Sequence, residues 1–159
     1  MEVRKGMRTM RRVDRKMEDG AAFELLKNGE YGILSTCGEK NQPYGVPVNY
    51  VVIDNSIYIH CAIIGSKIDN INENNKVSFT VIGKTKVLQD KFSTEYESVI
   101  VMGVASIIPE EERSESLLEF INKYSPEYLK EGREYIERAK NKTNIIKIEI
   151  ENITGKHRI

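Results

Sequence analysis

The chain has no excess of either charge, few cysteines and no long hydrophobic run, and each shortage excludes a class of protein. Its 159 residues carry 24 basic and 24 acidic side chains, so no net charge attracts nucleic acid or an anionic membrane. No apolar run approaches the roughly 20 residues that cross a bilayer. We therefore expect neither a nucleic-acid partner nor a membrane partner.

Cysteine and histidine are both scarce, with two residues of each. Cys37 and Cys61 are too few for a disulfide framework and lack metal-site spacing, so we expect reduced thiols. No second histidine or carboxylate stands at ligand spacing from His60, and we therefore predict no metal site. The N-terminus is basic but lacks the apolar stretch of a secretory signal. Together these features indicate a cytoplasmic protein.

The common nucleotide and hydrolase motifs are also missing. The chain contains no GxGxxG fingerprint and no Walker A sequence, which argues against a Rossmann or P-loop site. Ser35, Ser98 and Ser106 lie in no nucleophile elbow, so a hydrolytic triad is not predicted.

The strands that the sequence does predict follow one another as hairpins, without the alternation of strands and helices that a parallel sheet needs. This order predicts a mainly β protein, an antiparallel sheet or barrel with a few helices packed outside. With 40% apolar residues, residues 1–159 can form one domain with its own core. The expected segments are an N-terminal arm (1–17), a helix (18–27), strands (31–36, 44–53, 56–62, 76–82 and 97–108), a helical segment (110–141) and a closing strand (143–152).

Three of these segments carry more specific expectations. Pro47 interrupts the strand 44–53 and cannot donate to a ladder, so we expect an edge, a bulge or a bend there. The β-branched run 97–108 is typical of a central strand buried on both faces. The weakly patterned stretch 83–94 is predicted to be an exposed hairpin end or a mobile flap.

The most informative stretch is the strand 56–62 and the glycine turn after it, where Gly65, Ser66 and Lys67 stand at the start of a helix. We expect Ser66 to cap this helix, with Asp69 in the reciprocal position. A helix N-terminus beside a hydroxyl and an ammonium is suited to hold a phosphate. Taken alone, the motif fits a capped surface helix with a solvated lysine equally well.

His60 lies in the same strand, on the face that it shares with Tyr58 and Ala62, whereas Cys61 lies on the apolar face. A single histidine on a strand suits a structural or interface position, and it also suits proton transfer, because its pKa lies near neutrality. Cys61 is expected to be an inert packed thiol. Four strand tyrosines suit either a subunit interface or the edge of the core: Tyr44, Tyr50, Tyr58 and Tyr96.

The order of the pieces is more specific than any one of them. The sequence HCAIIGSK followed by NNKVSFTV, with MRRVD and PVNYV upstream, resembles the pyridoxamine-phosphate-oxidase-like flavoproteins, nearest the nitroimidazole-resistance branch. The resemblance covers nearly the whole chain. It implies a split β-barrel homodimer that binds FMN at its interface.

The resemblance also implies roles for individual residues. Ser66 and Lys67 would hold the FMN phosphate, and His60 would be the catalytic residue near the flavin. The remaining cofactor-binding positions are Pro47, Val48, Asn49 and Tyr50 around the isoalloxazine, Cys61 and Ala62 with His60 beside the ribityl chain and ring, and Ser98 and Val99 in the pocket wall or from the partner subunit.

The activity that the resemblance implies is FMN-dependent reduction of a small oxidised acceptor, such as a nitroaromatic, with electrons from NAD(P)H. This sequence departs from the family pattern at two places, which bear on phosphate binding and on vitamin B6 chemistry. Many relatives have histidine or arginine where Ser66 stands, and the basic set that binds vitamin B6 near the C-terminus is reduced to Lys156 and Arg158. Alternatives are a flavin storage or redox-sensing protein without turnover, and a member of the fold that binds heme or a deazaflavin.

Overall fold

Seven antiparallel strands form one sheet in the computed structural model, which describes residues 9–159. Residues 1–8 of the predicted N-terminal arm lie outside the described residues. The sheet order is β2-β1-β5-β6-β7-β4-β3. The strands are β1 (Gly32–Cys37), β2 (Pro43–Val48), β3 (Val51–Ile53), β4 (Ser56–Ala62), β5 (Lys76–Leu88), β6 (Ser93–Ile107) and β7 (Thr143–Arg158).

In the described part of the chain, four α-helices flank the sheet, as the sequence predicts. They are α1 (Asp19–Asn28), α2 (Ser66–Glu73), α3 (Arg113–Tyr124) and α4 (Leu129–Ala139). Within residues 9–159, no helix has the length and hydropathy needed to cross a bilayer. The fold class is therefore confirmed as mainly antiparallel β with flanking helices, in the form of a half-barrel.

The main core fills the concave side of the sheet. Alternation places Ile57, Ile59 and Cys61 of β4 in this core, as predicted from the sequence. Tyr50 packs edge-on against Phe79, with ring centroids 4.8 Å apart, and both side chains are fully buried. Each large apolar side chain that is buried in this way contributes roughly 1.5–3 kcal/mol.

A second, smaller core lies on the other side of the sheet, where α3 and α4 cover the ends of β4 and β7. It contains Ile108, Leu117, Ile136 and Ile145. The two helices approach closely at Gly132, since a Cβ there would come within 2.5 Å of the Ile121 side chain. Outward-facing residues of β4, including His60, therefore lie next to the helix pair.

One expectation about β6 is wrong. The strand is central in the sheet, but only one of its faces is buried: Val99 and Val101 are fully buried, whereas Ile100 is 45% and Met102 is 39% exposed. The β-branched composition predicts a strand but does not show what covers it. No described element packs over this part of β6, so its outer face is a surface of the chain.

Several boundaries also differ from the prediction. The segment 44–53 is broken at Asn49-Tyr50 and not at Pro47. Pro47 lies on the edge strand β2, paired with Ile33 of β1, so the expected edge position is confirmed. Strand β5 continues to Leu88 instead of ending at residue 82, and 83–94 is the exposed hairpin end that was one of the two predictions for it. The closing strand continues to Arg158, because its last residues pair with β6. Long-range pairing extends each strand beyond its local pattern.

Candidate functional site

The junction between β4 and α2 is built as the sequence indicates, except for its cap. Gly65 has a φ of 143°, a conformation that favours glycine, and its carbonyl accepts hydrogen bonds from the N–H groups of Ile68 (2.9 Å) and Asp69 (3.1 Å). Gly65 is therefore the N-cap residue, and no side chain makes a capping hydrogen bond among the described residues. The predicted Ser66–Asp69 capping box is wrong. Ser66 instead begins the helix with an exposed side chain.

Contacts from both sides hold this junction in place. The buried amide of Asn144 donates to the carbonyl of Ile63 at 3.2 Å, and Asn144 itself is paired with Cys61. On the helix, Ile68 and Ile71 are buried in the main core. The first turn of α2 is thus oriented before any ligand arrives, which is the condition for a tight anion site at a helix N-terminus.

The positive charge of Lys67 affects the pKa values of two residues of β4, His60 and Cys61. Phe120 shields one side of the imidazole, and this partial desolvation lowers the pKa of His60. The ammonium of Lys67 lowers it further, so most of the imidazole is neutral at neutral pH. Burial raises the pKa of the Cys61 thiol, although Lys67 and Arg113 act in the opposite direction. Cys61 is therefore a protonated, buried thiol, as the sequence predicts.

His60 lies on the outward face of β4, directly across from Ile145. Its ring meets the ring of Phe120 edge to face, with centroids 4.7 Å apart and planes at 82°. It borders a cavity of about 130 Å³ that Leu117, Tyr135 and Thr143 also line. Helix α3 thus contacts one side of the imidazole, and the rest of His60 remains exposed to solvent.

Some predicted cofactor residues face away from any surface that a ligand could reach. Tyr50 is fully buried, and its hydroxyl donates to the carbonyl of Leu26. Its backbone N–H donates to the hydroxyl of Tyr124 at 3.0 Å, and its carbonyl accepts from Lys123. Val99 is also fully buried. Val99 is paired with both neighbouring strands, and the backbone of Tyr50 is engaged by α3, so neither residue offers a surface to a ligand in the single chain.

The other predicted residues fall into three groups on the chain. His60 and Ala62 precede the loop that leads to Ser66 and Lys67, so these four belong to one corner of the molecule. The exposed residues Pro47 and Asn49 lie at the end of β2, with Val48 packed toward the core between them. Ser98 lies on β6. Asn49 and His60 lie on the same side of α3: the chain passes from β2 to β3 in two residues, β3 pairs with β4, and Tyr124, which contacts Tyr50, stacks on Phe120 beside His60. Ser98, on β6, is two strands from β4 in the sheet order.

A surface that the sequence reasoning missed extends across strands β2, β1, β5, β6 and β7. We call it the outer sheet face. The register aligns mostly uncharged residues as cross-strand neighbours, with Lys156 across from Ser98, and Ile82 is its most exposed large apolar residue at 61%. The outer sheet face consists of Ile33, Ser35, Gly45, Pro47, Ser78, Thr80, Ile82, Ser98, Ile100, Met102, Asn152 and Thr154. The alternation in 97–108 could have revealed it.

A half-barrel of antiparallel strands with flanking helices is consistent with the flavin-binding split barrels. The chain belongs to this class: residues 18–157 match the model of the pyridoxamine 5'-phosphate oxidase family. The family resemblance stated from the sequence is confirmed. A search of curated proteins found no significant sequence match.

Solved structures similar to this chain share its fold. One is a candidate 5-nitroimidazole antibiotic resistance protein from Bacteroides thetaiotaomicron, with 21% identity over 89% of this chain and 86% of that chain and a TM-score of 0.75. A FAD-binding protein from Mesorhizobium loti has 22% identity, coverages of 91% and 98%, and a TM-score of 0.63. The heme storage protein HutZ from Vibrio cholerae has 12% identity, coverages of 87% and 94%, and a TM-score of 0.66.

Proposed function

We propose that this protein binds FMN between two copies of the chain and reduces a small oxidised acceptor, such as a nitroaromatic, with electrons from a reduced nicotinamide. The observation that carries the proposal is the β4–α2 junction. There, a rigidly held helix start with the side chains of Ser66 and Lys67 follows a strand that presents His60. Flavin binding is the property of the family, and the choice of FMN rests on this junction.

The junction suits a terminal phosphate better than a neutral group. The first-turn N–H groups and the Ser66 hydroxyl are donors, and Lys67 adds a full positive charge. Each hydrogen bond to a charged group contributes roughly 1.5–3 kcal/mol, so two or three supply much of the about 8 kcal/mol of a micromolar complex. Such a site would favour FMN over riboflavin, which lacks the phosphate.

The outer sheet face supports a site shared between two chains. It is mostly uncharged and partly apolar, which suits contact with a second copy, and it carries both Pro47 and Ser98 of the predicted flavin pocket. In a single chain, Ser98 on β6 is two strands from β4 in the sheet order. A second copy packed on this face would bring one chain's outer residues toward the junction of the other.

FMN would supply the electron transfer when bound, and the chain would supply position and protons. His60 would hold the acceptor through a hydrogen bond from its imidazole. The fraction of the imidazole that takes a proton from solvent would pass that proton to the reduced product and return to the neutral form. Phe120 would keep the ring at one angle during this step.

Binding without turnover is the second candidate. The similar structures include proteins described as FAD-binding and as heme storage. A neutral imidazole such as that of His60 is also a common ligand of heme iron. The same residue therefore suits either function.

The test is the absorbance spectrum of the purified full-length protein, followed by titration with FMN, riboflavin and heme. We expect flavin bands, FMN affinity greater than that for riboflavin, and oxidation of NADH or NADPH when a nitroaromatic is added. Tight FMN binding without nicotinamide oxidation would favour the storage function. A Soret band, or a protein that takes up no FMN, would overturn the proposal.

A further inference from the structure

A cavity of about 530 Å³ opens between the β3–β4 turn and helix α3. Four carboxylates border it, from Asp54 in the turn and from Glu112, Glu115 and Glu119 in the helical segment. The other lining residues are one serine, one tyrosine and three apolar residues: Ser116, Tyr58, Ile53, Ile108 and Leu118. The carboxylates belong to exposed residues and the apolar side chains to buried or half-buried ones, so negative charge at the rim meets apolar surface inside.

The three glutamates lie about one helical turn from one another along α3. The helix dipole favours acid at the N-terminal turn, where Glu112 and Glu115 lie, but Glu119 is beyond that turn. Like charges that are four residues apart, as in Glu115 and Glu119, destabilise a helix. A cation that binds between these carboxylates would therefore relieve a repulsion within the folded chain.

The folded chain does not supply that cation. Within residues 9–159, none of the four carboxylates takes part in an ion pair. The one hydrogen bond that their side chains accept there comes from the amide of Asn122 to Glu119, at 3.3 Å. Glu119 also borders a neighbouring cavity with Lys27 and Lys123, so the other three carboxylates are the more isolated ones.

The cations of α3 and of the adjoining strand are engaged elsewhere. Arg113 donates to the carbonyl of Thr143 at 3.1 Å, and Lys123 donates to two backbone carbonyls at the other end of the helix. On β7, which pairs with β4, Lys147 lies 3.6 Å from Glu149. The negative charge at the cavity is therefore open to a ligand from solution.

Ser116 places an unpartnered hydroxyl at this cavity. The residue is only 5% exposed, and no described residue makes a hydrogen bond with its hydroxyl. A hydroxyl has one proton to donate and two lone pairs that accept, and leaving it unpaired in a buried position costs free energy. Ser116 is therefore suited to accept a hydrogen bond from an ammonium group inside the cavity.

The spacing of the carboxylates does not suit a shared metal ion. Among residues 9–159, no three or more His, Cys, Asp or Glu side chains are grouped closely enough to hold one. Carboxylates spread around an apolar surface match a ligand whose positive charges are separated by methylene groups, because such a chain buries its stem and keeps its charges at the rim. The volume of the cavity also lies within the roughly 300–1,000 Å³ that is typical of small-molecule sites.

We propose that this cavity is an amine site that binds an aliphatic diamine or polyamine, with the ammonium groups at the carboxylates and Ser116 and the methylene chain against Ile108 and Leu118. Hydrogen bonds between an ammonium and a carboxylate are roughly twice as strong as neutral ones. The net charge of the chain is zero, so the attraction for a cation comes from this local group of carboxylates. The amine site shares no residue with the β4–α2 junction, and it does not depend on the proposed function.

Calorimetric titration of the full-length protein tests the amine site, at neutral pH, at constant ionic strength and without added flavin. The probes are putrescine, spermidine, 1-aminobutane and MgCl2. 1-Aminobutane has the carbon chain of putrescine but a single ammonium group, and Mg²⁺ has the charge of putrescine but no carbon chain. We expect saturable binding of putrescine and spermidine, and at least about tenfold weaker binding of the other two, because each lacks either a charged hydrogen bond or the apolar contact.

The variants are Glu115→Gln and Asp54→Asn, with Glu134→Gln on the exposed surface of α4 as the control. Asparagine suits position 54 because it tolerates the positive φ of 52° found there. We expect each site variant to weaken spermidine binding at least about tenfold, because each removes one charged hydrogen bond, and the control to bind like the wild type. Ser116→Ala should weaken binding by a smaller factor, since it removes a neutral partner. Cooperative thermal unfolding of each variant would exclude loss of folding as the cause.

Three results would overturn the amine site: no saturable binding of spermidine up to about 5 mM, equal affinity for putrescine and either of its matched probes, or equal binding by the wild type and both site variants. A further probe, acetylated trilysine amide, carries as many positive charges as spermidine on a peptide. Tighter binding of this peptide than of spermidine would indicate a basic protein segment as the ligand and overturn the small-molecule assignment. Because flavin is omitted, a protein that takes up no FMN would refute the proposed function and leave the amine site standing.

Discussion

The ammonium of Lys123 lies over the aromatic ring of Tyr50, with Nζ 4.1 Å from the ring centroid. The same Nζ donates to the carbonyl oxygens of Gly29 (2.7 Å) and Tyr50 (3.0 Å). The hydroxyl of the next residue, Tyr124, donates to the carbonyl of Glu30, with the two oxygens 2.7 Å apart. These contacts join α3 to the chain segments before β1 and β3, where strand pairing leaves backbone carbonyls that need donors.

Replacement of Lys123 with methionine should destabilise the fold. It keeps most of the apolar stem but leaves the carbonyls of Gly29 and Tyr50 without this donor, at a cost of about 1–3 kcal/mol. Urea unfolding followed by circular dichroism measures the change. Lys130→Met, on the exposed side of α4, is the matched control, and equal midpoints for the two variants would refute the role.

Lys123 should also give the stability a pH dependence. Burial lowers the pKa of Lys123 to about 8, whereas an unfolded lysine titrates near about 10.4. Between these values the unfolded chain retains a proton that the folded chain has released, so stability rises with pH across this window. We expect the rise in the wild type and its absence in Lys123→Met, from unfolding midpoints measured at several pH values. The same slope in both proteins would contradict the assignment.

His60→Gln should separate binding from turnover. If His60 passes a proton to the acceptor, loss of the imidazole should lower kcat by roughly 10²–10⁴ with little change in FMN affinity. The donor is the protonated imidazole, and burial and Lys67 lower its pKa, so wild-type activity should rise as the pH falls through a range below the usual titration range of histidine. Steady-state rates across a pH series test both points. The control is His157→Gln, at the other histidine of the chain, and unchanged turnover in His60→Gln would exclude the role.

Lys67→Gln should weaken FMN binding by about tenfold or more, because it removes one charged hydrogen bond to the phosphate. Riboflavin has no phosphate, so its affinity should not change. Fluorescence titration with both flavins gives the comparison, and Lys40→Gln in the exposed β1–β2 loop is the control. An equal loss for FMN and riboflavin would show that Lys67 does not contact the phosphate.

Ile100→Asp should prevent a second copy from packing on the outer sheet face. Ile100 is the middle one of three large apolar side chains exposed on this face, the others being Ile82 and Met102. A second copy would bury the new carboxylate without a partner, which costs several kcal/mol. Sedimentation should show a wild-type dimer and an Ile100→Asp monomer with weakened FMN binding. Tyr128→Asp places the same charge on the exposed surface between α3 and α4 and should remain dimeric. A wild-type monomer at micromolar concentration would contradict the shared site.

Local patterns were enough to predict much of the site. The alternation of Ile57, Ile59 and Cys61 indicated the buried face of β4, and Gly65 marked the start of α2. The N-cap was predicted wrongly because the helix could begin with either Gly65 or Ser66 as its N-cap residue. In the folded chain the positive φ places Gly65 at the N-cap and moves Ser66 into the helix.

The sequence by itself determined the antiparallel class, the family and the corner that holds His60, Ser66 and Lys67. The class and the corner depend on periodicity and turn chemistry within a few residues, and the family depends on the order of these segments along the chain. Only the tertiary structure decided the order of strands in the sheet, that Tyr50 is buried under Lys123, and that one face of β6 is uncovered. Those relationships join residues far apart in the chain, and a local pattern that shows which face is apolar does not show what packs against it.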